Sequence, residues 1–459
     1  MTMPLRQFQL ASQLPHSPAV VWDWHVRSSA FARLTAPWQR VEVMRHAGIA
    51  DGARAELCIH EGPLSFRWIA RHEQVHAGSS FTDVQETGPF AAWTHQHRFE
   101  PVDGGTRMVD AIAWQPAWWM PAGQVARDLE RAFVWRHRRL REDLDRHAAA
   151  GLAPLRIAVS GAGGLVGTAL CAFLTGGGHT IVPITRRGGD GIAWDGRGSF
   201  DAAALRACDA VIHLAGAGVA DARWSPARMR EIRDSRVVGT AALARLLAED
   251  PGRVRTLVIA SGAGFYGERG EAELDERSVG GEGFLAEVCR DWEAAADPCR
   301  DRVRVVHLRT GVVLSARGGA LAKLLPSARL GLAGALGSGR QWWPWLALDD
   351  LVHIVLHVLA TPGLAGPINA VAPQQVRQIE LARAVAAALG RPALAPAAPA
   401  AVLRLVLGRM VDEALLVSAR IVPTMLQANG FRWAQADLAT ALASELGTAR
   451  ASTTGIRDA

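Results

Sequence analysis

The segment Leu155 to Thr168, LRIAVSGAGGLVGT, restricts the fold of this chain more than any other. Leu155 to Val159 is a short apolar run with β-branched Ile157 and Val159, as suits a buried parallel strand. Gly161, Gly164 and Gly167 follow at once, and Val166 to Leu174 has helical spacing. A strand that turns through glycines into a helix N-terminus lets backbone approach a pyrophosphate, whose charge is held by free amides and the helix dipole. A tight connection without a ligand would use glycines too, and a glycine triplet alone is a weak signal. Here a second strand, His179 to Thr185, arrives on schedule and ends in Thr185-Arg186-Arg187. A fold that reads a free ribose 2′-hydroxyl carries Asp or Glu at that strand end, so two arginines favour a 2′-phosphate and hence NADP(H). The cofactor-binding candidates are Gly161, Gly164, Leu165, Val166, Gly167, Thr185, Arg186 and Arg187.

The chain of 459 residues has room for two or three domains. The N-terminal segment lacks an apolar core, so no secretory signal is expected. Ala397 to Val411 is interrupted by Arg404 and Arg409 and is too short to span a bilayer. The five cysteines (Cys58, Cys171, Cys208, Cys289, Cys299) are dispersed without a CxxC pair, which points to reduced thiols and a cytoplasmic setting. The net charge of +6 is modest for this length. The densest basic run, Arg136 to Arg141, is flanked by acidic residues and reads as a solvated helix face, so no nucleic-acid partner is expected.

Residues 1–150 carry nine of the sixteen tryptophans and read as an α+β unit. After a strand at Phe8 to Leu14 and short helical segments come six strands separated by turn signals such as Asp51-Gly52 and Asp103-Gly104-Gly105. A long helix with Val125, Leu129, Phe133, Leu140 and Leu144 on one stripe closes the unit. This pattern, with phrases such as Gly88-Pro89-Phe90 and Trp93-Thr94-His95-Gln96-His97, resembles the helix-grip fold of the polyketide cyclase/START-like family. The resemblance implies an apolar cavity between sheet and helix and a hydrophobic small-molecule ligand. His95 and His97 share a strand face and could hold a metal, but no third ligand lies at a suggestive spacing, so no metal is expected.

In residues 154–375, the strand Ala210 to Leu214 ends in His213-Leu214-Ala215-Gly216, small residues that let backbone reach the adenosine side of a cofactor. Leu214, Ala215 and Gly216 join the cofactor-binding candidates. The strand Val254 to Ala260 runs into Ser261-Gly262-Ala263-Gly264-Phe265-Tyr266. With Ser160-Gly161-x-x-Gly164-x-x-Gly167, HLRTGVVL at 307–314 and WLALDDLV at 345–352, these phrases resemble the extended short-chain dehydrogenase/reductases, in the NAD(P)-dependent epimerase/dehydratase branch. The subgroup with an added C-terminal domain of unknown function is similar, through GSGRQWWPW at 337–345 and FLAEVC at 284–289. The resemblance places Ser261 where the family keeps a catalytic serine, also beside the cofactor.

The departures matter as much. The family's Tyr-x-x-x-Lys pair is absent, because the chain has one tyrosine, Tyr266, and one lysine, Lys323. Ser261 and Tyr266 are the catalytic candidates; a tyrosine without its lysine keeps a pKa near ~10 and works as an acid, which favours reduction. Glu287, Cys289, Arg290 and Asp291 are the alternatives in the expected helix, and a packed ring is the structural alternative for Tyr266. Ala347 stands where the subgroup commonly carries histidine. Residues 376–447 resemble the subgroup's small α-rich domain, with helices at Ile379 to Leu389, Ala400 to Arg409 and Pro423 to Ala428, a short strand after Asn429-Gly430, and Asp437 capping a last helix. Residues 448–459 are polar and expected to lack fixed structure. The fold class is therefore α/β, a Rossmann-type doubly wound parallel sheet with a small α-rich cap, preceded by an α+β helix-grip domain. The function expected is that of an NADP(H)-binding epimerase or oxidoreductase acting on a hydrophobic small molecule; without the Tyr-Lys pair, a non-catalytic NADPH sensor or ligand carrier is the alternative.

Overall fold

The computed structural model describes residues 3–448 apart from 187, 188, 190 and 197. Arg187 and the polar tail from Ala449 lie outside the described residues. Met1–Ala149 form the bulk of one compact unit, and Ala150–Leu174 with His179–Leu446 form the other.

The first unit runs β1 (Arg6–Leu14), α1 (Pro18–Val26), α2 (Ala30–Leu34), β2 (Arg40–His46), β3 (Arg54–Glu61), β4 (Leu64–His76), β5 (Ser80–Thr87), β6 (Ala92–Val102), β7 (Gly105–Gln115) and α3 (Ala122–Ala150). Its seven strands form one antiparallel sheet in the order β1-β7-β6-β5-β4-β3-β2. Strict alternation along β6 turns His95, His97 and Phe99 to the inner face. The sheet wraps α3, whose Leu140 and Leu144 pack with Leu14, Trp24, Phe81 and Met108 while Phe133 packs with Ile112 and Trp114. This is the helix-grip arrangement.

The second unit opens with β8 (Arg156–Ser160), α4 (Leu165–Gly176), β9 (Thr180–Thr185), β10 (Ile192–Ala193), α5 (Ala202–Arg206), β11 (Ala210–His213), α6 (Pro226–Glu249) and β12 (Thr256–Gly262). It continues through β13 (Glu273–Leu274), α7 (Phe284–Ala294), β14 (Arg304–Thr310), β15 (Val312–Ser315), α8 (Gly319–Arg329), β16 (Trp345–Ala347), α9 (Leu348–Ala360) and β17 (Gly366–Ala370). The main sheet is wholly parallel in the order β10-β9-β8-β11-β12-β14-β17. Its strands are apolar on both faces, with α9 against one side and α6 against the other. The strand order reverses between β8 and β11, and a crevice for a ligand lies above the carboxyl ends at such a reversal.

The C-terminal segment holds α10 (Gln378–Ala388), α11 (Ala400–Leu407), β18 (Arg420–Ile421), α12 (Thr424–Ala428) and α13 (Leu438–Leu446). β18 pairs with β13, which ties this segment to the chain after β12. Residues 431–433 were expected as a strand and are not one. Gly430, at φ +74°, ends the preceding helix, Phe431 then drops into the core, and the Trp433 indole donates to Val371 O at 3.0 Å. Side-chain burial sets this segment's path. Asp437 Oδ1 caps α13 by accepting from Thr440 N at 2.9 Å.

Candidate functional site

The glycine turn and the two strand ends beside it are locked together. Gly161 adopts φ +71°, and a Cβ there would lie 2.9 Å from the carbonyl carbon of Leu214. Gly167 has an ordinary φ, but a Cβ there would lie 2.1 Å from Gly161 O, so the first turn of α4 sits directly on the loop. Gly164 closes the turn by donating to Gly161 O at 3.0 Å. Beneath it, Ser160 Oγ accepts from Leu214 N at 3.1 Å and Ala215 N at 3.2 Å, and lies 2.7 Å from His213 Nδ1. Burial lowers the His213 pKa to about 4, so the ring is neutral and its Nδ1 can accept a hydrogen bond from the serine hydroxyl. α4 begins at Leu165, so the amides of Leu165 and Val166 belong to a first turn whose donors have no partner within the helix. The turn has both the space and the donors for a pyrophosphate.

Thr185 ends β9, the strand paired with β8, and Arg186 follows it, exposed. On the far side, the Ala215–Gly218 loop is held by α6, because Arg236 Nη1 donates to Ala217 O at 2.9 Å and Ala217 N donates to Ser235 Oγ at 3.0 Å. Gly216 lies against that arginine, with 3.1 Å between its Cβ position and the guanidinium carbon.

Ser261, near the end of β12, is buried and donates to Glu293 Oε1 at 2.8 Å. Tyr266, expected at the cleft as a proton donor, is fully buried instead. Its hydroxyl donates to Asn369 Oδ1 at 2.7 Å, lies 3.0 Å from Asp275 O, and accepts from Arg309 Nη1 at 3.0 Å. Burial raises its pKa, with Arg309 opposing. Ser261 and Tyr266 thus belong to one network, joined by Glu293 and Arg309 rather than by direct contact. Neither of those linking residues was singled out from sequence, although Glu293 lies one helical turn after Cys289.

A Tyr-x-x-x-Lys pair requires two side chains four residues apart that face the loop after β12. Leu285 and Cys289 of α7 are one pair that does so. A Cβ on Gly264 would lie 3.2 Å from Leu285 Cβ and 4.0 Å from Cys289 Sγ, and a Cβ on Gly262 would lie 3.7 Å from that sulfur. Burial, then the Glu293 carboxylate, pushes the Cys289 thiol up to about 11. Of the other helix candidates, Asp291 pairs with Arg233 at 2.8 Å, and the Arg290 guanidinium donates to Gly281 O.

The first unit encloses a cavity of about 490 Å³ between sheet and α3, walled by apolar side chains that include Leu57, Phe66, Trp68, Trp93 and Phe133. One end is polar: His25, His72, Asp83, His95, His97 and Arg136 also line it. Burial lowers His25 to about 3 and His95 to about 4. Burial acts on His97 in the same direction, but Asp110 and Asp83 on either side outweigh it and hold that ring at about 9. Asp83 was absent from the sequence-based candidates.

A doubly wound parallel sheet with its glycine turn at the strand-order reversal defines the class, an extended short-chain dehydrogenase/reductase domain preceded in sequence by a helix-grip domain. Residues 157–370 match the NAD dependent epimerase/dehydratase family, 398–445 a domain of unknown function, DUF1731, and 14–138 the polyketide cyclase/dehydrase and lipid transport family. The chain is 39% identical over 282 residues to epimerase family protein Mb2239 of Mycobacterium bovis, covering 60% of this chain and 93% of that one. It is similar in structure to the nucleoside-diphosphate sugar epimerase of Corynebacterium glutamicum, with TM-score 0.80 and 33% identity over 97% of this chain and 91% of that one. The human epimerase family protein SDR39U1 (isoform 2), solved with NADPH, aligns with TM-score 0.59 and 35% identity over 64% of this chain and 99% of that one. This protein belongs to the NAD dependent epimerase/dehydratase family. Among the described residues no helix is long and apolar enough to cross a membrane.

Proposed function

We propose that the second unit binds NADP(H) at the Gly161–Gly167 turn and acts as an oxidoreductase or epimerase on a hydrophobic small molecule, with the first unit taking up that molecule in its cavity. The cradle carries this reading: a side chain at Gly161 would strike the Leu214–Ala215 backbone and one at Gly167 would strike Gly161 O, so only glycines let the turn fold this tightly. A Cβ at Gly163 would meet nothing within 4 Å, which leaves the turn's outer side open to a pyrophosphate. The human relative solved with NADPH supports it. Arg186 supplies a guanidinium for a 2′-phosphate, and the Ala215–Gly216 backbone borders the adenosine side. The bound cofactor would supply hydride exchange with a substrate carbon. Ser261, oriented by Glu293, offers a hydroxyl at the end of β12, and the Arg309 network below it holds that strand end in place. Titrating NADPH and NADH by fluorescence tests the assignment. NADPH should bind about ten- to a hundredfold tighter, as one charge-assisted contact of about 1.5–3 kcal/mol implies, and Arg186→Ala should narrow the gap. Equal affinities, unchanged in the variant, would refute it.

A second reading has its own observation. Leu285 and Cys289 face the loop where an acid and a lysine would stand, which supports an NADPH-dependent ligand carrier or sensor without turnover. Consumption of reduced nicotinamide across a panel of carbonyl compounds separates the two.

A further inference from the structure

The polar end of the helix-grip cavity has the form of a metal site. β5 and β6 pair so that Asp83 lies opposite His95, and His97 is on the same face two residues on. His95 Nδ1 is 3.9 Å and His97 Nε2 is 3.5 Å from Asp83 Oδ2. One donor atom from each of the three residues lies within 4.8 Å of the other two. The far nitrogens of both rings turn to a single carboxylate, with His95 Nε2 3.0 Å and His97 Nδ1 2.7 Å from Asp110 Oδ1. His97 Nδ1 is off the line of a hydrogen bond there. Behind them, His137 Nε2 lies 2.7 Å from Asp110 Oδ2 and its Nδ1 2.8 Å from Ser12 Oγ. The second oxygen of Asp83 is held by His72 Nδ1 at 2.5 Å.

We propose that Asp83, His95 and His97 bind a divalent transition-metal ion at the end of this cavity, with Asp110 orienting both imidazoles from behind. Two imidazoles and a carboxylate on one face suit Zn(II) or Fe(II) and leave coordination positions open. Ligand bonds of about 2.0–2.2 Å require ligand atoms roughly 3–3.5 Å apart, and the observed 3.5 and 3.9 Å approach that range. A ligating histidine commonly gives its other nitrogen to a carboxylate; His95 Nε2 does so with Asp110 Oδ1, which His97 Nδ1 also approaches to 2.7 Å. The two shells are also separated in space. Asp83, His95 and His97 line the cavity, whereas Asp110, His137 and Ser12 are not among its lining residues. A further imidazole on the wall, His25, donates from Nδ1 to Val21 O at 2.8 Å, and its Nε2, buried, has no hydrogen-bond partner among the described residues. Its ring centre is 6.1 Å from that of His97. The open positions would face an apolar chamber, so the ligand class is an apolar molecule bearing one oxygen that coordinates the ion.

The test uses the full chain, stripped with a chelator and titrated with Zn(II), Fe(II) under exclusion of air, and Co(II). One equivalent should bind at micromolar concentration or tighter, and the Co(II) protein should show visible absorption of a low-coordinate site. Asp83→Asn and His97→Ala should each weaken binding by at least about a hundredfold, and Asp110→Asn by about ten- to a hundredfold. Because such variants can fail to fold, nitrogen couplings from two imidazoles in the pulsed electron paramagnetic resonance spectrum of the Co(II) wild type provide a test that needs no variant. Failure of all three metals to bind stoichiometrically, or a Co(II) spectrum without imidazole couplings, would overturn the proposal. So would a folded Asp83→Asn protein that binds as the wild type does.

Discussion

Arg309 forks onto Glu293, Nε to Oε1 at 2.9 Å and Nη2 to Oε2 at 2.8 Å, with both residues buried. The pair joins β14 to α7 across the end of β12. Ser261 shares Oε1, and the third guanidinium nitrogen reaches Tyr266. Burial works against the arginine's charge, but Glu293 outweighs it and raises the pKa above its ordinary value. A guanidinium held in this way is an internal fastener, and its partners serve the strand ends that carry the crevice.

The two members of this network should therefore respond differently to mutation. Tyr266→Phe leaves Arg309 Nη1 and Asn369 Oδ1 each short of a partner, at a cost of about 1–3 kcal/mol. Glu293→Ala leaves a buried guanidinium uncompensated and should cost about 3–5 kcal/mol. Thermal melts of both variants check the order. Once a substrate is in hand, Tyr266→Phe should keep most of the turnover; a loss of about 10²–10⁴ in kcat with unchanged stability would instead make the hydroxyl the general acid.

The glycine cradle gives a sharper test of cofactor binding. At Gly167 the backbone conformation suits any residue, so Gly167→Ala acts only through the 2.1 Å overlap with Gly161 O. It should open the turn and weaken NADPH at least about tenfold, near 1.4 kcal/mol. Gly161→Ala adds the penalty of its φ of +71° and should be worse. Isothermal titration of both variants ranks them, and a Gly167→Ala protein with wild-type affinity would place the phosphates elsewhere.

The parts of this architecture that were legible in the sequence are those built from contiguous residues. Strand, glycine turn and helix at 155–174 dictate their own geometry. Strands in the first unit were readable from turn signals, but their partners were not. Asp83 and His95 are twelve residues apart in number, yet only the β5–β6 register sets them opposite one another, and a slip of one residue would turn either away from the cavity. Tyr266 shows the complementary gap. Its place in the chain suggested the cleft, but the ring went inward because Arg309, Asn369 and Asp275, from distant segments, together satisfy its hydroxyl.

The cavity itself can be tested by filling it. Ala132, on α3, is buried and lines the chamber, so Ala132→Trp puts an indole into space that an apolar ligand would occupy. Wild-type protein should take up an environment-sensitive apolar dye and gain thermal stability from sterols, fatty acids or aromatic polyketides. The variant should lose that uptake while its NADPH affinity stays unchanged. Equal dye uptake by both proteins would remove the chamber as the binding site.

The last prediction concerns pH. Glu276 is buried, and its Oε1 accepts from Asn369 N at 3.1 Å and Met425 N at 3.2 Å. Its Oε2 has no hydrogen-bond partner among the described residues. Burial raises its pKa above the ordinary carboxylate value, while the two backbone donors act in the opposite direction. A carboxyl whose pKa is higher in the folded chain favours folding when protonated. Its contribution is complete below the unfolded value of about 4.3 and falls as pH rises through the folded value. Glu276→Gln keeps an oxygen for both donors and mimics the protonated acid at every pH. The variant should melt close to wild type near about pH 4 and above it near about pH 8, with the gap opening between. Melting curves across that range decide the matter, because a gap that is constant or reversed would mean that the carboxylate is stabilised in place.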